Sequence, residues 1–365
     1  MVVPVQVTLS PARTTSGLVL GVLASMTFAT SGAFLKPLLE GDWSPAAAVT
    51  ARTAVAGLVL LPIAILAVRG RWAAVWRGRW RIVGMALVGV AGTQLVYFAS
   101  LQRIPVSTAL LIEYLAPLLL VGWVWATTRK APRLVVVAGA ALAIAGLVLT
   151  IGPGSLGGAM DTLGVVFAGL AAVGCAGYYI IAARPSDGLP SVALAGFGLA
   201  LGSLSLGVLG ALRVVPFEFS AADVAMFGGT APWWAPLLFV GVLGTGFAYV
   251  ASIAASERLG ARLMSFVGLL EVVFAAVLAW LVLGEAITPL QVVGGVAILG
   301  GIALVRAEKP EVPLDALPTD TAAIAALATA TVEPLPVDRE LVDRELIDPD
   351  FGDRGPVDRE LVDRD

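Results

Sequence analysis

Apolar residues in this chain follow neither the alternation of a half-buried strand nor the one-sided stripe of a soluble helix. They run in blocks of about 20, the length that crosses ~30 Å of hydrocarbon at 1.5 Å per residue. Ten blocks can be drawn, at approximately 17–38, 46–68, 82–101, 106–126, 133–151, 161–183, 190–212, 234–256, 262–283 and 289–306. The gaps are short and carry turn chemistry, as in "LEGDWSP", "RGRWAAVWRGRWR", "TRKAPR", "IGPGSLGGAMD", "ARPSDGLP" and "LGEAITP". Unpaired backbone groups are too costly in lipid, so each block is predicted to be a helix. The pattern predicts an all-α integral membrane protein with ten transmembrane helices. The first block is full length with Arg13 as its basic flank, so a cleaved signal peptide is not expected.

Composition agrees with this class: 58% of residues are hydrophobic, 13% are charged, and the mean hydropathy is +0.93. The net charge of −3 hides two unlike parts, because residues 307–365 carry 16 acids against 6 bases while residues 1–306 carry 10 acids against 17 bases. Lysine and arginine are also unevenly placed. With the N-terminus inside, the cytoplasmic segments receive 14 of them (Arg69, Arg71, Arg77, Arg79 and Arg81 in one loop) and the opposite side only Lys36, Arg103 and Arg213. The excess on one side predicts cytoplasmic N- and C-termini in a multi-pass membrane protein. With one cysteine, Cys175, and no histidine, disulfides, Cys/His metal sites and imidazole relays are excluded, and no cofactor or metal is expected. No paired-Asp or Ser/Lys motif within the spans points to a membrane enzyme.

The chain also repeats itself. A shift of 155 residues superposes Arg103 on Arg258, Trp125 on Trp280, Gly139 on Gly294, Gly146 on Gly301 and Leu149 on Leu304, and lays helices 4 and 5 on helices 9 and 10. Five helices is an odd number, so two such repeats enter the membrane with opposite polarity. In one loop pair, Lys130 of "TRKAP" falls inside and its counterpart Glu285 of "LGEAI" outside.

The segments "SLQRIPVSTALLIEYLAPLLLVGWVW" and "LLEVVFAAVLAWLVLGEAITPLQVVGGVAILGGIAL" resemble the EamA-type permeases of the drug/metabolite transporter superfamily. "LIEYLAP" and "LGE" look most like the branch of amino-acid and metabolite exporters that includes the threonine/homoserine exporter. The resemblance covers about residues 17–306 and implies two inverted five-helix repeats, 17–151 and 161–306, that export small molecules across the inner membrane. Residues 1–16 then form a cytoplasmic N-terminal segment. Residues 307–365, in which VDREL recurs, read as a disordered acidic tail: a solvated segment, or one that docks on the basic loop 69–81.

Three ionisable residues lie well inside predicted spans, where a charge costs ~2.5–3.5 kcal/mol and should face a cavity or a partner. Arg52 and Glu113 are each about seven residues into helices that start at the outer face, hence roughly 10 Å deep and close enough to pair. Two readings stand: a salt bridge that holds helices together, or a site in which Arg52 takes a solute carboxylate while Glu113 binds an amine or exchanges protons. Glu271, about nine residues into helix 9, lies near the midplane with no partner in its own helix, and reads as part of a solute or proton path or as a helix–helix hydrogen bond. Glu257 and Glu285 border loops and read as solvated charges. Tyr97 with Gln94, Tyr178 and Tyr249 also fall inside spans and suit the wall of a cavity for small amphipathic solutes, or for Tyr178 an interfacial belt or packing filler. Pro117 removes the backbone hydrogen bond to Glu113 and should notch helix 4. Trp72, Trp76 and Trp80, interleaved with arginine, could suggest nucleic acid, but next to a span they read as a contact with the anionic leaflet. The expected partners are a small-molecule solute and membrane lipids, not nucleic acid; whether a homodimer forms is left open by the sequence.

Overall fold

The computed structural model describes residues 11–104, 106–152, 161–226, 229–283 and 287–307, so Glu285 and the acidic stretch 308–365 lie outside it. Within these residues the first two predicted spans are α1 (Pro11–Glu40) and α2 (Pro45–Ala67), the latter capped by the Ser44 hydroxyl on the Ala47 N–H. The basic loop folds into a short helix, α3 (Trp72–Arg77), and then α4 (Arg79–Gly84) begins the third span. That span runs through a π-helical stretch, Met85–Gly92, into α5 (Thr93–Leu101). Next come α6 (Val106–Glu113), α7 (Ala116–Thr128), α8 (Leu134–Ile151), α9 (Thr162–Ala183) and α10 (Ser191–Ala211). A two-stranded hairpin, β1 (Val224–Met226) and β2 (Gly229–Ala231), precedes α11 (Trp234–Phe239), a second π-helical stretch, Val240–Phe247, and α12 (Ala248–Gly268). The last two helices are α13 (Leu270–Leu283) and α14 (Pro289–Ala307).

Among the described residues nine helices are long and apolar enough to cross a membrane, where the hydrophobic pattern predicts ten. The difference lies between residues 234 and 283. Trp234–Gly268 is continuous in length but not in conformation: Gly260 (φ 79°, ψ 161°), in a backbone region that favours glycine, breaks it into two helices. The predicted span 262–283 is therefore residues 261–268 followed, after a break, by α13, whose 14 residues alone reach only about 21 Å. The predicted span 106–126 is likewise divided. Pro117 has no N–H to give the Glu113 carbonyl, and the chain re-forms its bonds as Leu115 N to Ile112 O (3.1 Å) and Leu118 N to Leu115 O (2.9 Å). The break before α13 has the same bonding without a proline: Leu269 N to Phe266 O (3.1 Å) and Val272 N to Leu269 O (3.2 Å). Ser25 on α1 donates to the Val267 carbonyl beside it, at 3.0 Å.

The internal repeat is visible in the packing. The two π-helical stretches start and end 155 residues apart, as do the first residues of α8 and α14. Helices α8 and α14 pack through glycine: a Cβ on Gly139 would come within 2.9 Å of the Gly301 carbonyl oxygen, and one on Gly294 within 2.6 Å of the Gly146 carbonyl oxygen. Gly139 and Gly294 are repeat equivalents, as are Gly146 and Gly301, so each contact is the other's image and the two helices run antiparallel. An internal two-fold relation of this kind is what inverted repeats require. On α10, the glycines of "GFGLALG" do similar service: Gly196 lies against Ala64 and Leu60 of α2, and Gly202 against Val90.

Candidate functional site

A cavity of about 210 Å³ opens between the repeats. From the first half it receives Ser25 and Phe28 on α1, Arg52 on α2, Gly89, Thr93, Gln94 and Tyr97 on the third span, and Leu110, Glu113 and Tyr114 at the broken fourth. The second half adds Cys175, Tyr178 and Tyr179 on α9, Tyr249, Ser252, Met264 and Gly268 on α12, and Glu271 in the first turn of α13. The repeat relation reaches into this lining, since Gln94 and Tyr97 are the 155-residue equivalents of Tyr249 and Ser252. Both pairs follow a π-helical stretch, which turns the residues after it out of α-helical register. Cross-repeat bonding follows, with the Tyr249 hydroxyl donating to the Gly89 carbonyl at 3.3 Å. Within the first stretch the Thr93 hydroxyl donates to the Val88 carbonyl at 2.6 Å.

The structure thus collects Arg52, Glu113, Glu271, Gln94, Tyr97, Tyr178 and Tyr249 around one space. Pro117 is not in the wall; it opens α7 next to the Glu113 break. Sequence reading missed Tyr114 and Tyr179, so that all five tyrosines of the chain, and its single cysteine, face the cavity. That concentration of one residue type was itself a usable signal. Phe28 and three of these tyrosines form a chain of edge-to-face contacts: Phe28–Tyr249 at 5.3 Å, Tyr249–Tyr178 at 5.5 Å and Tyr178–Tyr179 at 5.1 Å between centroids.

Arg52 and Glu113 do not form the ion pair that their depths allow. Among the described residues Arg52 has no carboxylate within 4.0 Å; its guanidinium donates to Ser31 at 3.1 Å, and its Nε has no partner. The Tyr178 and Ser252 hydroxyls are buried in the same wall and face each other. Buried polar groups are almost always hydrogen-bonded, so the Arg52 Nε is an exception within the cavity wall.

Glu257, read as a solvated loop charge, is instead part of a buried contact one to two turns beyond the cavity. Arg81 meets it at 2.9 Å, with the two side chains 8% and 20% exposed. The same guanidinium donates to the Ile181, Ala182 and Pro185 carbonyls at 3.0, 2.9 and 3.3 Å, and Ser191 donates to the other Glu257 oxygen at 3.0 Å. One arginine therefore ties α4 to the end of α9, the start of α10 and the middle of α12. At the opposite end Arg103 pairs with Asp161 at 3.1 Å across an exposed surface, and Asp161 caps α9 through the Leu163 and Gly164 N–H groups. Those backbone donors, then Arg103, hold its carboxyl below the usual carboxylate range.

The model of the EamA-like transporter family matches the chain twice, over residues 15–152 and 162–307. The chain belongs to the EamA-like transporter family. Its membership makes the long apolar helices those of a multi-pass membrane protein, and the two matched segments coincide with the two halves that enclose the cavity. No curated protein matches the chain. A solved structure titled only "Crystal structure of protein" is similar over 82% of this chain and 99% of its own, with 21% identity and a TM-score of 0.64, a likeness of fold.

Proposed function

We propose that this EamA-like protein exports a small zwitterionic metabolite, an amino acid or a close relative, by alternating access across the cytoplasmic membrane. The bundle then holds ten membrane segments, the broken α6–α7 and the short α13 each counting toward one, with both termini in the cytoplasm as the positive residues favour. The observation that carries the reading is the placing of a guanidinium with a free Nε and two carboxylates in one cavity without an ion pair among them. A zwitterion supplies what each lacks: its carboxylate meets Arg52, and its ammonium meets Glu113 or Glu271. The tyrosine wall accepts the side chain, and the volume, below the ~300 Å³ of ordinary ligand pockets, limits it to a small one. Either glutamate can return as the free acid, which couples export to protons.

A second reading, efflux of organic cations, is favoured by the same carboxylates and the cluster of aromatic faces. Arg52 separates the two. In proteoliposomes, Arg52→Gln abolishes amino-acid flux if the first reading holds and spares or raises cation flux if the second does. Glu271→Gln and Glu113→Gln that both transport like wild type, with and without a proton gradient, would refute both.

A further inference from the structure

The arginine-tryptophan segment at the start of the third span is not used by the cavity, and its surface is unusual. Trp72, Trp76 and Trp80 recur every fourth residue across α3 and α4, so they share one face, and they are 53%, 70% and 70% exposed. The opposite face is buried through Ala74, Arg81 and Ile82. Arg69 and Arg71 are exposed at the start of this segment, Arg77 turns instead toward Asp187 and Gly188 on the side of Ala74, and Arg79 lies over two of the indoles, 4.6 Å from the Trp76 ring centroid and 5.6 Å from that of Trp80. No acid occurs between residues 68 and 84. Among the described residues these four arginines form no ion pair; Arg71, Arg77 and Arg79 donate to the Ala67, Asp187 and Trp76 carbonyls, bonds that hold their positions without neutralising them.

We infer that this face is a binding site for an anionic phospholipid, its phosphate on Arg69, Arg71 and Arg79 and its glycerol and upper acyl region against the three indoles. Charge complementarity selects an anion, and the aligned indoles select one that carries its own apolar boundary, where tryptophan is favoured. The acidic stretch after residue 307 has a single aromatic residue, Phe351, to set against the indoles. The site sits at the base of the span that supplies Thr93, Gln94 and Tyr97 to the cavity, and Arg81, two residues past Arg79, is the arginine that ties four elements together. Lipid bound there anchors the helix that shapes the solute site.

The test is native mass spectrometry of the full-length protein titrated with tetraoleoyl cardiolipin or with a zwitterionic phosphatidylcholine. Each arginine near an anionic surface is worth about fivefold, so Arg69→Gln/Arg71→Gln/Arg79→Gln should weaken cardiolipin retention by on the order of 100-fold. Trp72→Ser/Trp76→Ser/Trp80→Ser should weaken it at least several-fold, while Arg129→Gln/Arg133→Gln, at another loop of the same side, leaves it within twofold. Wild-type retention in the triple arginine variant overturns the proposal, as does equal retention of phosphatidylcholine. Capture of a peptide of residues 336–365 by these arginines, without arginine-dependent cardiolipin binding, also overturns it and makes the chain's own tail the occupant.

Discussion

If the Arg81–Glu257 contact closes the basic end beneath the cavity, Glu257→Gln should open that end. The pair is 2.9 Å apart and little exposed. Removing one member of a fully buried pair costs ~3–5 kcal/mol. Here the cost is smaller, because Arg81 keeps its three carbonyl bonds and glutamine can still accept from Ser191. The loss is that of a charge-assisted bond, about 1.5–3 kcal/mol. Spread over a closed-to-open equilibrium, that is a shift of roughly 10- to 150-fold toward the open form. The assay is the labelling rate of Ser252→Cys, in a Cys175→Ala background, by a membrane-impermeant thiol reagent added from the basic end. Glu257→Gln should accelerate labelling by at least tenfold, with Glu257→Asp between the two. An unchanged rate in a folded protein would refute the assignment of this contact as a closure and leave it a helix-end clamp.

Gly146→Leu and Gly294→Leu should each cost ~1–3 kcal/mol or more, read as a fall in detergent-solubilised Tm, because the added atoms meet carbonyl oxygens of the facing helix. Gly122→Ala and Gly169→Ala, with nothing within 4 Å, should be neutral or stabilising by up to about 1 kcal/mol. Gly92→Ala drives a Cβ into the Leu87 carbonyl and should abolish the first π-helical stretch; flux is expected to fall further than Tm, because Thr93, Gln94 and Tyr97 leave their register. For Asp161 the folded carboxyl titrates below its unfolded value, so its contribution is present above about pH 4 and disappears as pH falls through the folded value. The Tm gap between wild type and Asp161→Asn should therefore be full at pH 7 and shrink in acid.

The helices were legible because hydrocarbon length is written directly in apolar blocks, and the three cavity charges because a charge inside such a block stands out. What joins them was not. These helices are apolar all round, so periodicity does not say which face meets which neighbour, and the pairing of Gly139 with Gly301 needed coordinates. The break after Glu113 announces itself through Pro117, whereas the matching one before Glu271 has no proline, only Gly268 among the many glycines of these helices. The π-helical stretches left no trace but their spacing. Glu257 was misread because nearness to a helix end suggests solvent; the arginine that buries it is 176 positions away in sequence. Tyr114 and Tyr179 were overlooked beside Glu113 and Tyr178, although adjacent helical residues can both reach a cavity that lies between several helices.

The central claim is that a zwitterion is held between Arg52 and the two glutamates. The direct measurement is counterflow exchange of labelled neutral amino acids in proteoliposomes, each paired with its decarboxylated amine, for wild type and Arg52→Gln. The account expects wild-type exchange of at least one amino acid and an on the order of 100-fold loss in Arg52→Gln, with the matching amine unaffected. Equal amino-acid exchange by Arg52→Gln and wild type, at equal amounts of folded protein, would contradict it.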